Sequence, residues 1–177
     1  MIEIYTDRLR LRTLKEQDWP AFLALHCDPE VGRFVRDPEP EPLLKAKFEQ
    51  RSQPWRYESG DWLTLVIEEL GSGHFVGLTG FYCVDLELAQ AEVGYLLHPD
   101  MQGKGYATES LRGVIDWGCL SFNIHKFIGH CANDNLASAK VMEKCGFELE
   151  GILRHNFRIG DLWVDDRAYG LLSDERR

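Results

Sequence analysis

The stretch QGKGYAT, residues Gln102–Thr108, places two glycines directly before a predicted helix, an arrangement that suits the binding of an anion. A phosphate site needs backbone N–H groups that converge on one point, small residues where the anion approaches, and a helix N-terminus behind it. The stretch is not a Walker A loop, and Thr108 stands where a dinucleotide fingerprint needs a third glycine or an alanine. Two interpretations stay open on these grounds, an anion-binding loop and a plain glycine-rich helix start.

The elements around this loop predict a mixed sheet with helices on both faces, an α/β fold of the α+β kind. A strand over Ala91–Asp100 leads into the loop, and Gly94 within it indicates a bulge or a close backbone approach. Further strands are predicted over 6–14, 62–69, 75–84, 126–132, 147–154 and 162–172. Helices are predicted over 15–31 with a stop at Pro29, over 43–56, after the loop, and over 133–146. A length of 177 residues suits one domain over 1–177.

The composition excludes several classes of protein. Lys and Arg number 20 against 29 Asp and Glu, which argues against a nucleic-acid binder and would suit a cationic partner. No apolar run is long enough for a membrane span, and the N-terminus lacks the apolar block of a signal peptide, so a cytoplasmic protein is expected. Five scattered cysteines without C-x-x-C spacing predict reduced, mostly buried thiols and no metal site.

Motifs along nearly the whole chain resemble one enzyme family. Gln102-x-x-Gly105-x-Ala107 is similar to the acetyl-CoA-binding motif of the GNAT N-acetyltransferases. Similarity to the RimJ/RimL-like branch, which acetylates protein N-terminal amines, is carried by TDRLRLRTL, AEVGYLLHP, N-x-x-S followed by VMEKCGF, EGILR, and D-x-x-x-YGLL. The resemblance implies the GNAT fold, a mostly antiparallel sheet of about seven strands flanked by about four helices. That sheet splays between its fourth and fifth strands, here Glu92–His98 and Lys126–Ala132, and the pantetheine arm lies in the gap.

The resemblance also implies how acetyl-CoA, the co-substrate, is held. The backbone of Leu96 and Leu97 is expected to meet the pantetheine and the thioester, and the amides of Gly103–Thr108 the pyrophosphate. Asn135 is expected to hydrogen-bond the pantetheine, with a helix N-cap as the alternative. Lys104 adds a positive charge or is a solvated loop lysine. The full set expected to bind the cofactor is Leu96, Leu97, Gln102, Gly103, Lys104, Gly105, Tyr106, Ala107, Thr108, Asn135 and Ser138.

Two residues are expected to be catalytic. Many GNAT enzymes use a tyrosine as the general acid, but Met142 occupies that position here, so Ser138 or a water is expected to protonate the leaving thiolate. Glu92 is the candidate general base or the end of a water chain, with a surface carboxylate as the alternative. His155 is a second candidate base.

The acceptor is expected to be an amine, and no covalent enzyme intermediate is needed. An α-amine with a pKa of about 7.7–8.0 is partly neutral at pH 7, whereas a lysine amine at about 10.4 is not, which favours a protein N-terminus. An amino acid, a polyamine or an antibiotic amine stays open, as does a non-catalytic acyl-CoA-binding module. The protein is expected to be a monomer or a homodimer. Candidates for the acceptor pocket, for which a core position is the commoner role, are Trp55, Tyr57, Tyr82, His155 and Phe157.

Overall fold

One sheet of eight strands orders the chain in a computed structural model that describes residues 1–176. The strands in these residues are β1 Glu3–Tyr5, β2 Leu9–Thr13, β3 Leu63–Glu69, β4 Phe75–Asp85, β5 Gln90–Leu97, β6 Lys126–Ala132, β7 Glu148–Ile159 and β8 Leu162–Leu172. The α-helices are α1 Trp19–Cys27, α2 Pro29–Gly32, α3 Glu41–Arg51, α4 Tyr106–Phe122 and α5 Leu136–Lys144. Within this range no helix is both long and apolar enough to cross a membrane.

The strand order is β1-β2-β3-β4-β5-β6-β8-β7, and the contact between β5 and β6 is the parallel one. That contact joins the first three residues of each strand and ends at the pair Glu92–Ile128. Beyond it, β5 continues beside β4 to Leu97, and β6 continues beside β8 to Ala132. Each strand follows its own antiparallel partner, so the two halves of the sheet diverge. The predicted splay is therefore confirmed, between what are now the fifth and sixth strands.

The predicted GNAT architecture is confirmed with one more strand and one more helix than expected. The segment predicted as a single strand over 6–14 contains a turn, in which the Thr6 amide donates to the Leu9 carbonyl, and β1 lies before it. Pro29 ends the first helix as predicted, but it also occupies the first position of the short helix α2, where proline loses no hydrogen bond.

The sheet buries a different cluster on each face. On one face, α4 and α5 cover a large core that includes Leu111, Val114 and Phe127. On the other, Phe22 of α1 and Phe48 of α3 pack on Val66 and Leu78 of the sheet, a burial that stabilises by about 1.5–3 kcal/mol per large side chain. This second cluster contains no residue of β6, β7 or β8 within the described chain. The cluster under α1 and α3 therefore ends at β5.

Gly94 is a site of close approach and not a bulge. The register between β4 and β5 runs without a shift from Ala91 to Leu97, with Gly94 opposite Gly80. A Cβ at Gly94 would lie 3.0 Å from the indole of Trp62. The missing side chain thus lets an aromatic ring lie directly on the backbone of β5.

Candidate functional site

The loop before α4 depends on two glycines. Gly103 has φ +75° and Gly105 has φ +81°, the left-handed region in which residues with a side chain are strained. Gly105 is also the N-cap of α4, so no side chain caps the first turn of this 17-residue helix. The turn keeps its backbone accessible because its two strained positions carry no side chain.

Six consecutive amides of this loop lack an acceptor. Among residues 1–176, no backbone or side-chain group accepts from the N–H groups of Gly103 to Thr108, and the first capping bond is that of Glu109 to the Gly105 carbonyl. Unpaired amides at a helix N-terminus, with the partial positive charge of the helix dipole behind them, bind anions well. The geometry therefore fits a pyrophosphate better than a plain helix start, which a side chain would ordinarily cap.

Gln102 and Lys104 are placed differently from one another. The Gln102 side chain donates from Nε2 to the Leu97 carbonyl at 3.2 Å, so it ties the loop to the end of β5. The exposed ammonium of Lys104 lies 3.8 Å from the sulfur of Met101. Gln102 thus has a positioning contact, and Lys104 is free to turn toward a phosphate or toward solvent.

Arg8, which the sequence analysis missed, holds this loop from behind. Its guanidinium donates to the Lys104 carbonyl at 2.9 Å and to Glu109 at 2.6 Å, and it stacks over the Tyr106 ring at 4.6 Å. The Tyr106 side chain is buried, and its hydroxyl bonds the carboxylate of Glu69, so only its backbone faces the loop. Arg8 lies 96 residues before the loop, and no local pattern links the two.

The helix start beyond Tyr106 presents its backbone as predicted. Ala107 and Thr108 are half-buried in the first turn, where their carbonyls accept from Ser110 at 3.1 Å and from the thiol of Cys145 at 3.6 Å. Their amides point along the helix axis with those of the preceding residues.

The gap between β5 and β6 is lined by backbone groups of alternate residues. The amide of His98 donates to the Val76 carbonyl of β4 at 2.9 Å. Opposed residues of an antiparallel ladder alternate between bonded and non-bonded pairs, so Leu96 also directs its backbone groups to β4. Leu97 and Tyr95 therefore direct theirs into the gap. Of the two residues whose backbone was expected to meet the pantetheine, only Leu97 faces the gap, because the backbone groups of Leu96 point to β4. Tyr95 is a further residue whose backbone faces the gap.

Asn135 and Ser138 meet at the start of α5. The Asn135 side chain accepts from the Ser138 amide at 3.2 Å, so in this structure it caps the helix, the alternative considered for it. The Ser138 hydroxyl lies 2.7 Å from the hydroxyl of Tyr95, which also donates to the Ser138 carbonyl at 3.0 Å. Burial raises the pKa of Tyr95, so this phenol stays protonated at neutral pH.

Met142 is part of the core. It is buried, and its sulfur packs against Gly129 so closely that a Cβ there would lie 2.5 Å from it. The hydroxyl nearest to Ser138 therefore comes from the sheet, from Tyr95, and not from the helix position that holds a tyrosine in many relatives. An alternating strand motif with a tyrosine, GYLL, was the available signal for it.

Glu92 lies on the opposite face of β5 from Tyr95, because side chains alternate along a strand. Its carboxylate accepts from the Tyr82 hydroxyl at 2.8 Å, and the Tyr82 ring contacts Trp62 with centroids 4.6 Å apart. Burial, together with the bond to Glu92, raises the pKa of Tyr82 to about 12. The two predicted catalytic side chains, Glu92 and Ser138, thus lie on opposite faces of the sheet.

The predicted acceptor-pocket residues do not come together as one group. Tyr82 lies beside Glu92, whereas Tyr57 is buried in the large core and Trp55 packs against it. His155 is exposed on β7 and stacks on Trp163 at 6.0 Å, and Phe157 is half-buried on the same strand. Three strand spacings, roughly 14 Å, separate β7 from β5, so His155 is remote from Glu92.

Comparison with known proteins agrees with this geometry. The acetyltransferase (GNAT) domain family matches residues 8–148. The chain is 28% identical over 178 residues to the uncharacterized N-acetyltransferase YnaD of Bacillus subtilis (strain 168), covering 98% of this chain and 99% of that protein. It is 29% identical over 101 residues to the ribosomal-protein-serine acetyltransferase of Escherichia coli (strain K12), covering 57% of this chain and 56% of that protein.

A solved structure shares the fold. Spermidine N-acetyltransferase from Vibrio cholerae, in complex with CoA and spermine, superposes with a TM-score of 0.84 at 22% identity, covering 96% of this chain and 98% of that chain. The family match spans most of the chain, and it includes the loop before α4, the gap and the start of α5. The chain therefore belongs to the GNAT acetyltransferases, a family that uses acetyl-CoA, and it is an N-acetyltransferase.

Proposed function

We propose that residues 1–177 form one acetyltransferase domain that moves the acetyl group of acetyl-CoA directly to a primary amine, with the N-terminal α-amine of a peptide or protein as the acceptor. The observation that carries this proposal is the row of six unpaired amides, Gly103 to Thr108, beside a gap lined by the backbone of Tyr95 and Leu97. The amides hold the pyrophosphate, and the strand edge holds the amides of the pantetheine. Bound acetyl-CoA supplies an activated thioester, and the Leu97 amide is placed to stabilise its developing oxyanion.

On the acceptor side, Glu92 takes the proton that the amine loses as the new C–N bond forms. Its carboxylate is held by Tyr82, whose high pKa keeps it a hydrogen-bond donor at neutral pH. A carboxylate is a weak base, and it suffices most readily for an amine that is already partly neutral. An α-amine, with a pKa of about 7.7–8.0, meets that condition better than a lysine side chain.

On the donor side, Ser138 donates its hydroxyl proton toward the sulfur as the C–S bond breaks. Tyr95 has a single proton to donate, and it reaches either the carbonyl or the hydroxyl of Ser138. When the Tyr95 proton points to Ser138 Oγ, the Ser138 proton is released to face the thiolate. Tyr95 is thus a positioning residue for Ser138.

Direct transfer is supported by the state of the cysteines near Ser138. Burial raises the pKa of Cys131 to about 11, and burial likewise raises that of Cys145 to about 11. Only a thiolate is an effective nucleophile, and at neutral pH both groups are neutral thiols. A ternary complex of acetyl-CoA and amine therefore fits the site better than an acyl-cysteine intermediate.

The proposal names a peptide or protein N-terminus as the acceptor, and similar proteins suggest one alternative. One relative acts on a ribosomal-protein serine, and the structurally similar Vibrio cholerae enzyme is named for spermidine. A small-molecule amine is accordingly the second candidate.

The test has two stages. Acetyl-CoA, but not ATP, is expected to raise the melting temperature of the protein, and no shift with acetyl-CoA would contradict both enzyme and binding module. Thiol release is then measured with N-terminal peptides, N-terminally blocked lysine peptides and polyamines. Faster turnover of the free N-terminal peptides supports the proposal, and faster turnover of polyamines contradicts it.

A further inference from the structure

Three cations crowd around one carboxylate on the side of α1 and α3. Glu39 accepts from Arg36 at 3.0 Å and from Lys47 at 2.6 Å, and both bonds end on the same oxygen. Arg51 lies at the end of the same helix as Lys47. We call Arg36, Lys47 and Arg51 the basic cluster. In a chain with nine net negative charges, a local excess of positive charge needs a reason.

Arg51 is the member of the basic cluster that no anion contacts. In the part of the chain that the structure describes, it forms no ion pair and no hydrogen bond, and its guanidinium lies 5.9 Å from the centre of the Trp62 ring. Burial, and then the charge of Arg36, lower the pKa of Arg51 to about 10, against the opposing charge of Glu39, so it is still a cation at neutral pH. A partly buried cation that no counter-ion contacts is costly, and an arriving anion would reduce that cost.

A histidine of α1 lies beside the basic cluster. Burial, followed by the charges of Lys47, Arg36 and Arg51, lowers the pKa of His26 to about 4. His26 stacks on Phe22 with ring centroids 4.1 Å apart, and its Nδ1 contacts the Phe22 carbonyl at 2.8 Å. The basic cluster therefore adjoins α1 as well as α3.

The basic cluster adjoins the proposed acceptor side of the site. Trp62, on which Arg51 stacks, lies on Gly94 of β5 and against Tyr82, which holds Glu92. The Tyr82 ring and the Arg51 guanidinium are at most about 11 Å apart, a distance that roughly three extended residues span. The rings of Tyr82 and Trp62 therefore form one continuous surface between Glu92, the proposed proton acceptor, and Arg51.

The loop after Arg36 also contacts the last hairpin. Asp37 accepts from the Gly160 amide at 2.6 Å, so the connection between α2 and α3 reaches the turn between β7 and β8. The segment that carries Arg36 and Glu39 is thus held at this end of the last hairpin.

We infer that the basic cluster binds an acidic side chain of the acceptor, so that the enzyme selects peptides with Asp or Glu about two residues after the N-terminal amine. This inference rests on the proposed function, because it assigns Glu92 to the amine and the cluster to the residues that follow. It reverses the expectation of a cationic acceptor drawn from the net charge, because the local charge and not the total charge meets the substrate.

The decisive experiment uses three C-terminally amidated peptides that differ only in Glu, Gln or Lys at the third position. Their binding to the protein saturated with CoA is measured by calorimetry, and their acetylation by thiol release. The Glu peptide is expected to bind about tenfold more tightly than the Gln peptide and more tightly still than the Lys peptide. Raising the salt concentration to about 0.5 M is expected to shrink the difference.

Two variants and a control assign the effect. Arg51→Gln is expected to bring the Glu and Gln peptides within about twofold of each other, while Arg51→Lys keeps part of the preference. Lys45→Gln is the matched control, because Lys45 lies on the same helix but stacks on Trp19 at 4.6 Å, and it is expected to keep the full preference. Melting temperatures check that each variant is folded.

The outcomes separate the two proposals. Equal binding of the Glu and Gln peptides, or a preference that survives in Arg51→Gln, overturns the basic cluster as the acceptor site. A Glu preference in binding without any acetylation supports the cluster and contradicts the proposed function alone.

Discussion

The hydroxyl of Tyr95, on β5, lies 2.7 Å from the hydroxyl of Ser138, in the first turn of α5. Tyr95 comes from the sheet and Ser138 from α5, so this bond joins the two elements that flank the predicted thioester. It gives Ser138 a hydroxyl partner from the sheet, while Met142, at the position where many GNAT enzymes have a tyrosine, is part of the core.

Tyr95→Phe tests that relationship. We expect kcat to fall about tenfold, which corresponds to about 1.4 kcal/mol, with little change in the KM for acetyl-CoA. Ser138→Ala should cost at least as much, and the double variant should be no slower than Ser138→Ala because both act on one proton. Additive losses in the double variant, measured by steady-state kinetics, would show that Tyr95 acts independently of Ser138.

Gly105→Val tests the amide row. Gly105 has φ +81°, and a Cβ there would lie 3.3 Å from the Arg8 guanidinium, so valine should distort the loop and weaken acetyl-CoA binding at least tenfold. Gly151→Val is the control, since nothing lies within 4 Å of that position and its φ is not positive. Calorimetry of acetyl-CoA binding to both variants decides, and equal affinities would refute the amide row as the phosphate site.

Arg8→Gln tests the support behind the loop. Losing the bond to the Lys104 carbonyl should raise the KM for acetyl-CoA about threefold to tenfold and leave kcat nearly unchanged. Because Arg8 is half-exposed, its ion pair with Glu109 should contribute no more than about 1 kcal/mol to the free energy of unfolding. A lower kcat with an unchanged KM would instead connect Arg8 to the chemical step.

His26 gives a prediction for pH. Its pKa is lowered to about 4, so between about pH 6.5 and pH 4 the unfolded chain binds a proton that the folded protein does not. The free energy of unfolding should therefore fall as the pH falls through this window, by about 2 kcal/mol after allowance for solvent screening. Urea unfolding at pH 7 and pH 4.5 should show a smaller change in the free energy of unfolding for His26→Gln than for the unaltered protein. An equal change in both proteins would show that His26 is not its source.

The sequence predicted the parts of the site that depend on local pattern. Gly103 and Gly105 precede a helix, and the strand Lys126–Ala132 was predicted at its observed bounds, because turn chemistry and apolar runs act over a few residues. The splay and the cofactor loop followed from the family resemblance, and the splay is confirmed. Roles for Glu92 and Ser138 stay predictions, and the structure places the two side chains on opposite faces of the sheet.

What the sequence did not predict depends on contacts between distant segments. Arg8 contacts the Lys104 carbonyl across 96 residues, and the guanidinium of Arg51 lies 5.9 Å from the centre of the Trp62 ring, which belongs to a different segment. The sequence predicts cofactor contacts for both Leu96 and Leu97, because residue types do not reveal which way a strand's backbone groups point. Only the register with β4 shows that the backbone groups of Leu96 point to β4 and those of Leu97 point into the gap.

The short contact between β5 and β6 has a consequence for the resistance of the protein to local unfolding and proteolysis. Three opposed residue pairs join the two halves of the sheet, so separation of the halves should start at this short contact. An acyl donor that bridges the halves adds about 2.7 kcal/mol to the free energy of unfolding at a hundred times its Kd. Resistance to proteolysis would then rise and fall with the supply of that donor, and the abundance of the enzyme would follow the metabolic state of the cell.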